Sequence, residues 1–358
     1  MLVFVVPSLG KGGAQRATIS LANALAEEGK KIQILALKTD DEEFSVSEGI
    51  SVHRMDCHSF SRSLVPLAKA LVKSPPDLVY SCLWHVNLLV TLARVLCLFR
   101  GLRFTHIASI HNNPARIMET ENYWLSRLYY YFIARFATWI IVVSQGIKDQ
   151  LSRNILIPED QIHVIPNISI TSDHKLALEK DLKHDFVEKH REGYLIWVGR
   201  LDFQKNVTLF LDVVEAVRMP ALVIGEGPEE EIVIDRIRRL NDSGVDACYL
   251  EFQPNVMYFM KNAKCLLLTS RFEGFGLVLV EALYCGTPVI STNCEYGPSD
   301  IVKHGHNGYL VGDNVAEFAS AFSELIERSQ QLSTNARPSV LEYETPAVLQ
   351  KFTDMEIF

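Results

Sequence analysis

The sequence predicts an α/β protein of two consecutive units, each a doubly wound, mainly parallel sheet with helices on both faces. Three observations predict it. The chain has 358 residues, about twice the roughly 150 expected of one domain. Short β-branched runs alternate with longer helical patterns, and strands joined through ten or more helical residues need crossover connections, which makes the sheets parallel. The alternation then starts again after a polar interruption.

In the first series the strands are Leu2–Val6, Ile32–Leu37, Leu78–Ser81, Thr105–Ile110, Trp139–Val143 and His163–Ile165. In the second they are Tyr194–Val198, Ala221–Ile224, Cys248–Phe252, Cys265–Thr269, Pro288–Ser291 and Gly308–Val311. Between them, Asn167 to Arg191 is polar and highly charged, and Pro166 ends the preceding strand. The domains are therefore expected at 1–168 and 169–340, with a tail at 341–358. Ligands of open parallel sheets lie outside the carboxyl ends of the strands, so a site is expected in the cleft between two facing domains.

Composition removes several function classes. Hydrophobic residues make up 48% and charged residues 22% of the chain, as in ordinary globular proteins, and the net charge is −8. Nothing here offers the clustered basic surface that nucleic acid requires. The seven cysteines are scattered without metal-pair spacing, which fits reduced thiols and a cytoplasmic protein. Met1–Pro7 lacks a basic leader and reads as a first strand. The apolar stretch Val86 to Leu98 is interrupted by Arg94 and is shorter than the roughly 20 residues of a spanning helix.

Four motifs follow predicted strands. The first, Ser8-Leu-Gly-Lys-Gly-Gly-Ala-Gln15, runs into a helix starting near Ala14. Its glycines and the positive helix end suit a phosphate, although a tight turn alone would explain them. It matches neither the dinucleotide nor the P-loop fingerprint. The second, Trp197 to Asn206, carries Arg200 and Lys205 beyond a strand end, where two cations could neutralise a diphosphate or simply sit in solvent. The third runs from Ser270 to Ala282. There Glu273 and Glu281 bracket Gly274 and Gly276, and the amides of Phe275 to Leu277 are expected to open a helix. If most of that interval is helical, the two carboxylates stand about 12 Å apart along its axis. That exceeds the roughly 5 to 9.5 Å between glycosidase carboxylates and suits two ends of one extended ligand. The plain alternatives are a solvated helix residue for Glu281 and a helix-dipole partner for Glu273, worth under about 1 kcal/mol. The fourth, Ile107 to Pro114, sets His111 at a strand end, where it serves as a structural residue or as a donor to a sugar hydroxyl.

Together these pieces resemble the family-four glycosyltransferases, a retaining group with the GT-B fold, over nearly the whole chain. The matching residues are Gly12-Gly13-Ala-Gln-Arg16, His111, Val143-Ser144, Val164-Ile-Pro-Asn167, Gly199-Arg200 through Lys205-Asn206, Ile224-Gly-Glu-Gly-Pro228, Phe252-Gln-Pro-Asn255 and Glu273-Gly-Phe-Gly-Leu-Val-Leu-Val-Glu281. The last is the Glu-x7-Glu signature. The resemblance implies an acceptor-binding first domain, a nucleotide-sugar-binding second domain, and a closing helix that packs back on the first. It implies that Gly12 and Gly13 approach the donor phosphates and that Arg200 and Lys205 hold the diphosphate. Glu273, with Gly274, Phe275, Gly276 and Leu277, would grip the transferred sugar and phosphate. Glu281 would take the ribose hydroxyls, Phe252 to Asn255 the base, and His111 would lie by the reacting sugar.

The implied chemistry needs positive potential where the diphosphate departs, and Arg200, Lys205 and the helix amides supply it, so neither a metal nor a cofactor is expected. The segment Cys294 to Val311 looks like that of bacterial enzymes assembling surface polysaccharide or lipopolysaccharide. The expected donor is a UDP-sugar carrying a hexose or N-acetylhexosamine, and the expected acceptor a saccharide, free or polyprenyl-diphosphate-linked. The chain departs from the family pattern at Glu251, usually Gly, and at His111-Asn-Asn, usually His-Asp. The aromatic helix Tyr123 to Phe136, with Arg127 and Arg135, reads as a core helix or as a peripheral contact with the inner face of the cell membrane. A sugar-phosphate transferase or epimerase of the same fold, and a non-catalytic nucleotide-sugar-binding subunit, are the competing functions.

Overall fold

The computed structural model describes residues 1–10, 12–40, 44–57, 60–111, 123–155, 157–180 and 182–357. Lys11 of the glycine-rich turn and Asn112–Pro114 after His111 lie outside the described residues. The chain divides into two compact units, Met1–Ile168 with Val348–Phe358, and Ser169–Ala347.

The first unit is built on β1 (Leu2–Val6), β2 (Ile32–Ala36), β3 (Ser51–Arg54), β4 (Leu78–Cys82), β5 (Thr105–Ile110), β6 (Trp139–Val142) and β7 (Ile162–Val164). They form one sheet in the order β3-β2-β1-β4-β5-β6-β7, every neighbouring pair parallel. Successive side chains of β1 go to opposite faces: Val3 and Val5 join one hydrophobic cluster, Phe4 and Val6 another. Because both faces are covered, the strand reads as an unbroken apolar run.

Strand β3 escapes the sequence expectation. Ser-Val-His-Arg has no apolar alternation, and three of its four residues are exposed at the sheet edge. In the helix Gly13–Glu27, Ala17, Leu21, Ala22, Ala24 and Leu25 are buried. The helix Tyr123–Phe136 buries Tyr129, Tyr130 and Ile133 and exposes Leu128 and Tyr131. Tyr129 meets Trp84 edge-on at 5.7 Å. Among the described residues no helix is long and apolar enough to cross a membrane.

The second unit repeats the architecture with β8 (Leu195–Val198), β9 (Ala221–Ile224), β10 (Ala247–Leu250), β11 (Cys265–Leu268), β12 (Val289–Thr292) and β13 (Gly308–Val311). Its order is β10-β9-β8-β11-β12-β13, again entirely parallel. Both units are α/β domains with doubly wound parallel sheets, as the sequence predicts. Each sheet reverses its winding at one place: between β1 and β4 in the first, and between β8 and β11 in the second. Loops leaving the two strands at such a point diverge and open a crevice at their carboxyl ends.

The polar segment 169–191 holds two short helices, Ser172–Glu179 and Asp185–Lys189. Val340 and Tyr343 are buried, Tyr343 against the Phe275 ring. From Val348 the chain belongs to the first unit, whose core takes in Val348, Leu349, Phe352 and Ile357. Truncating Phe352 to alanine should therefore cost about 3–5 kcal/mol of first-unit stability. Urea unfolding measures it, and a loss under about 1 kcal/mol would show the tail to be dispensable.

Candidate functional site

The loops after β8 and β11 leave the second sheet at its reversal point and are joined by hydrogen bonds. Thr269, just past β11, donates its hydroxyl to the carbonyls of Asn206 at 2.9 Å and Lys205 at 3.2 Å, while Trp197 Nε1 donates to the Thr269 oxygen at 3.1 Å. Gln204 Nε2 donates to the Phe272 carbonyl at 3.0 Å, and the Arg271 amide returns a bond to the Gln204 carbonyl at 2.9 Å. The Arg271 guanidinium reaches Asn206 Oδ1 at 3.1 Å and lies over the Phe203 ring. Asn206 is left-handed, at φ 50°, which turns the chain into the helix Val207–Val217.

This framework brings Lys205 Nζ to Glu273 Oε1 at 2.5 Å, and Ser270 Oγ donates to the same oxygen at 2.7 Å. Glu273 is 5% exposed. Two groups that the sequence places 68 residues apart thus form one part-buried pair, a half-buried lysine on a buried carboxylate, with a hydroxyl beside it. Arg200 is largely exposed, its Nε 3.6 Å from Asp202 Oδ2. Beyond Glu273 the backbone is irregular through Gly274 and Phe275, and the helix spans only Leu277–Tyr284. Gly276 caps it at φ 98°, a left-handed turn that ordinary side chains avoid. The helical expectation therefore holds only for the second half of the Glu273–Glu281 interval, about 6 Å of rise from Leu277 to Glu281. No side chain caps the helix start, and no acidic residue stands in its first turn. A helix start without a side-chain cap is a place where backbone amides can receive an anion.

Glu281 lies on that helix with its side chain buried, 3% exposed, and His174 Nε2 is 3.6 Å from its Oε1. It is not a solvated helix residue. Phe252 is half exposed, and its amide donates to Glu226 Oε1 at 3.2 Å. Asn255 has structural work: its Oδ1 accepts from the Tyr258 amide at 3.3 Å, capping the helix Val256–Lys261, and its Nδ2 donates to the Ala177 carbonyl at 3.0 Å. The Gly225–Gly227 loop lies directly on the loop after β8. A Cβ on Gly225 would stand 1.8 Å from the Gly199 carbonyl oxygen, so only glycine fits. Cys294, after β12, also belongs here. Burial pushes its thiol up to about 12, with Glu273 adding to the rise and Lys205 opposing it.

In the first unit, Gly12 is extended and Gly13 opens the helix Gly13–Glu27, again without a side-chain cap. His111 follows β5 and is buried, its Nε2 3.0 Å from Ser109 Oγ. Burial lowers its pKa to about 4, and a hydrogen bond with Asn167 offsets this only in part. The ring is neutral at pH 7. Reading the sequence alone misses Ser270, Thr269 and His174. Thr171-x-x-His174 does have capping-box spacing, but with His where Glu or Gln is usual.

The chain matches the profile of Glycosyltransferase Family 4 over residues 11–168 and that of Glycosyl transferases group 1 over residues 179–339. A relative 26% identical over 326 residues, 86% of this chain and 84% of its own, is the GalNAc-α-(1→4)-GalNAc-α-(1→3)-diNAcBac-PP-undecaprenol α-1,4-N-acetyl-D-galactosaminyltransferase of Campylobacter jejuni. The amylovoran biosynthesis glycosyltransferase AmsD of Erwinia amylovora is 23% identical over 99% of both chains. Among solved structures, Anabaena Alr3699/HepE in complex with UDP superposes with a TM-score of 0.79 at 20% identity over 99% of both chains. The two profiles make the chain a glycosyltransferase, and the structural likeness gives it the GT-B-type fold. The chain belongs to the family-four glycosyltransferases.

The unfolded chain protonates His111 near its ordinary 6.5 and the folded chain near 4. Its contribution to stability is therefore whole above 6.5 and is lost as pH falls towards 4. Urea stability measured between pH 7 and 4 should decline, less steeply in His111→Asn. An equally steep variant would contradict the lowered pKa.

Proposed function

We propose that this protein transfers a hexose or N-acetylhexosamine from a UDP-sugar, with retention of anomeric configuration and without a metal, to a saccharide or polyprenyl-diphosphate-linked saccharide during bacterial polysaccharide or lipopolysaccharide biosynthesis. In this proposal the second unit is the donor-binding domain and the first the acceptor-binding domain. The observation that carries it is the Lys205–Glu273 pair with Ser270, set at the reversal point of the second sheet beside an uncapped helix start. The UDP in the Anabaena structure and the undecaprenol-linked name of the Campylobacter relative favour the nucleotide and the acceptor class.

The glycosyl–phosphate bond breaks with its electron pair leaving on the diphosphate. Negative charge grows there, positive charge at the anomeric carbon. Arg200, Lys205 and the amides of Phe275 to Leu277 provide fixed positive potential for the leaving group, the part a metal plays elsewhere. An acceptor hydroxyl attacks from the leaving-group face and passes its proton to the departing phosphate oxygen, which gives retention without a protein nucleophile. Glu273 grips hydroxyls of the transferred sugar. Neutral His111, with one ring N–H, can donate to a sugar hydroxyl without competing for the diphosphate. Gly12 and Gly13 meet the donor phosphates through their backbone, Glu281 takes the ribose and Phe252 contacts the base. A lipid-linked acceptor would put the enzyme at the cytoplasmic face of the membrane, where Leu128 and Tyr131 are exposed for contact.

Calorimetric titration with UDP, GDP and ADP in EDTA tests the reading. UDP should bind selectively, and Arg200→Ala/Lys205→Ala should weaken it at least about 10-fold, a loss of about 1.4 kcal/mol. Binding of no nucleotide would favour the non-catalytic subunit, and binding only after a divalent ion is added would overturn metal independence.

A further inference from the structure

The helix Ser172–Glu179 lies almost wholly between the two family profiles, which end at residue 168 and begin again at 179. No role assigned through the family reaches it. Yet it is held at the nucleoside end of the proposed donor site. Upstream, the Ser169 amide donates to the Tyr343 carbonyl at 3.1 Å and the Thr345 amide to the Ile170 carbonyl at 3.1 Å, with Ile170 fully buried. Downstream, Asn255 Nδ2 ties the Ala177 carbonyl to the loop that carries Phe252. Between these anchors stands His174, 3.6 Å from Glu281.

The helix cap decides which nitrogen of His174 carries hydrogen. The Thr171 amide, which can only donate, lies 3.2 Å from His174 Nδ1, and Thr171 Oγ1 is 2.8 Å from the same atom. Nδ1 must therefore be an acceptor. In the neutral ring the hydrogen is then on Nε2, the atom nearest Glu281 Oε1. At 3.6 Å this is not a hydrogen bond. In so buried a place, however, the N–H dipole still draws the carboxylate towards it. The contact orients Glu281 without using up acceptor capacity, since a carboxylate has about four lone-pair sites.

We propose that His174 is a positioning residue for nucleotide recognition: with its tautomer fixed by the Thr171 cap, it holds the Glu281 carboxylate in the orientation that accepts the ribose hydroxyls. The proposal rests on Glu281 being the ribose ligand, as proposed above. It makes the helix Ser172–Glu179 part of the nucleoside site, bound to the ribose carboxylate through His174 and to the base loop through Ala177.

Substitution can separate this role from capping. Thr-x-x-Gln and Thr-x-x-Glu are the usual capping boxes, so His174→Gln and His174→Glu both preserve the helix start. The full-length protein and these variants are titrated with UDP and with 2′-deoxy- and 3′-deoxy-UDP, alongside thermal unfolding. Wild type should prefer UDP over the deoxy compounds. His174→Gln should lower UDP affinity about 3- to 10-fold, and His174→Glu, which sets a second carboxylate against Glu281, by more. Both should bring the UDP-to-deoxy ratio towards one while the melting temperature holds.

An unchanged ratio in both His174 variants, with Glu281→Gln collapsing it, would overturn the positioning role and leave Glu281 as the ribose ligand. If Glu281→Gln itself leaves the ratio intact, the ribose assignment falls and His174 falls with it. A drop in melting temperature with the ratio preserved would reduce His174 to a helix cap.

Discussion

A lysine–glutamate pair whose carboxylate is buried is a poor stabiliser unless its surroundings do much of the work. Taking the carboxylate out of water costs several kcal/mol, and attraction recovers that only with good geometry and further hydrogen bonds. The Lys205–Glu273 pair has both. The side chains of Thr269, Gln204 and Arg271 clip the two loops together, and Ser270 donates to the carboxylate. The rest of the candidate site depends on this clip. It fixes where Lys205 presents its charge, sets Glu273 ahead of the helix Leu277–Tyr284, and so orients Glu281 on that helix.

Pairing sets a condition on what the candidate site can bind. With Glu273 beside it, Lys205 is close to neutralised. In the proposed function a diphosphate would gain from Lys205, Arg200 and the helix amides, but a full exchange would also require new partners for Glu273, which the hydroxyls of an attached sugar would supply. A buried carboxylate left without partners is costly. On that proposal the arrangement would reward a nucleotide that carries a sugar over one that does not.

Much of the fold was legible because strands buried on both faces advertise themselves as apolar runs. Thr105–Ile110, Ala221–Ile224 and Gly308–Val311 lie where the sequence puts them. Ser51–Arg54 was not legible, since an exposed edge strand carries no such signal. In the site, the residue types and their order along the chain could be read, but not their partners. Nothing local says that Lys205 meets Glu273, that Thr269 stitches their loops, or that Asn255 spends its amide on a cap and on Ala177. The late start of the helix before Glu281 follows from the left-handed turn at Gly276, and a glycine reports only that such a turn is possible. His174 was hidden because it occupies a position where the capping pattern is normally acidic or amide.

Backbone hydrogen exchange with and without UDP tests the central claim most directly, that the loops after β8 and β11 and the helix opening at Leu277 form the donor site. UDP should slow exchange at 199–207 and 272–284, and at the amides near 252–255. Protection absent from 199–207 and 272–284, with UDP demonstrably bound, would mean that the nucleotide sits elsewhere and that the Lys205–Glu273 pair is only structural.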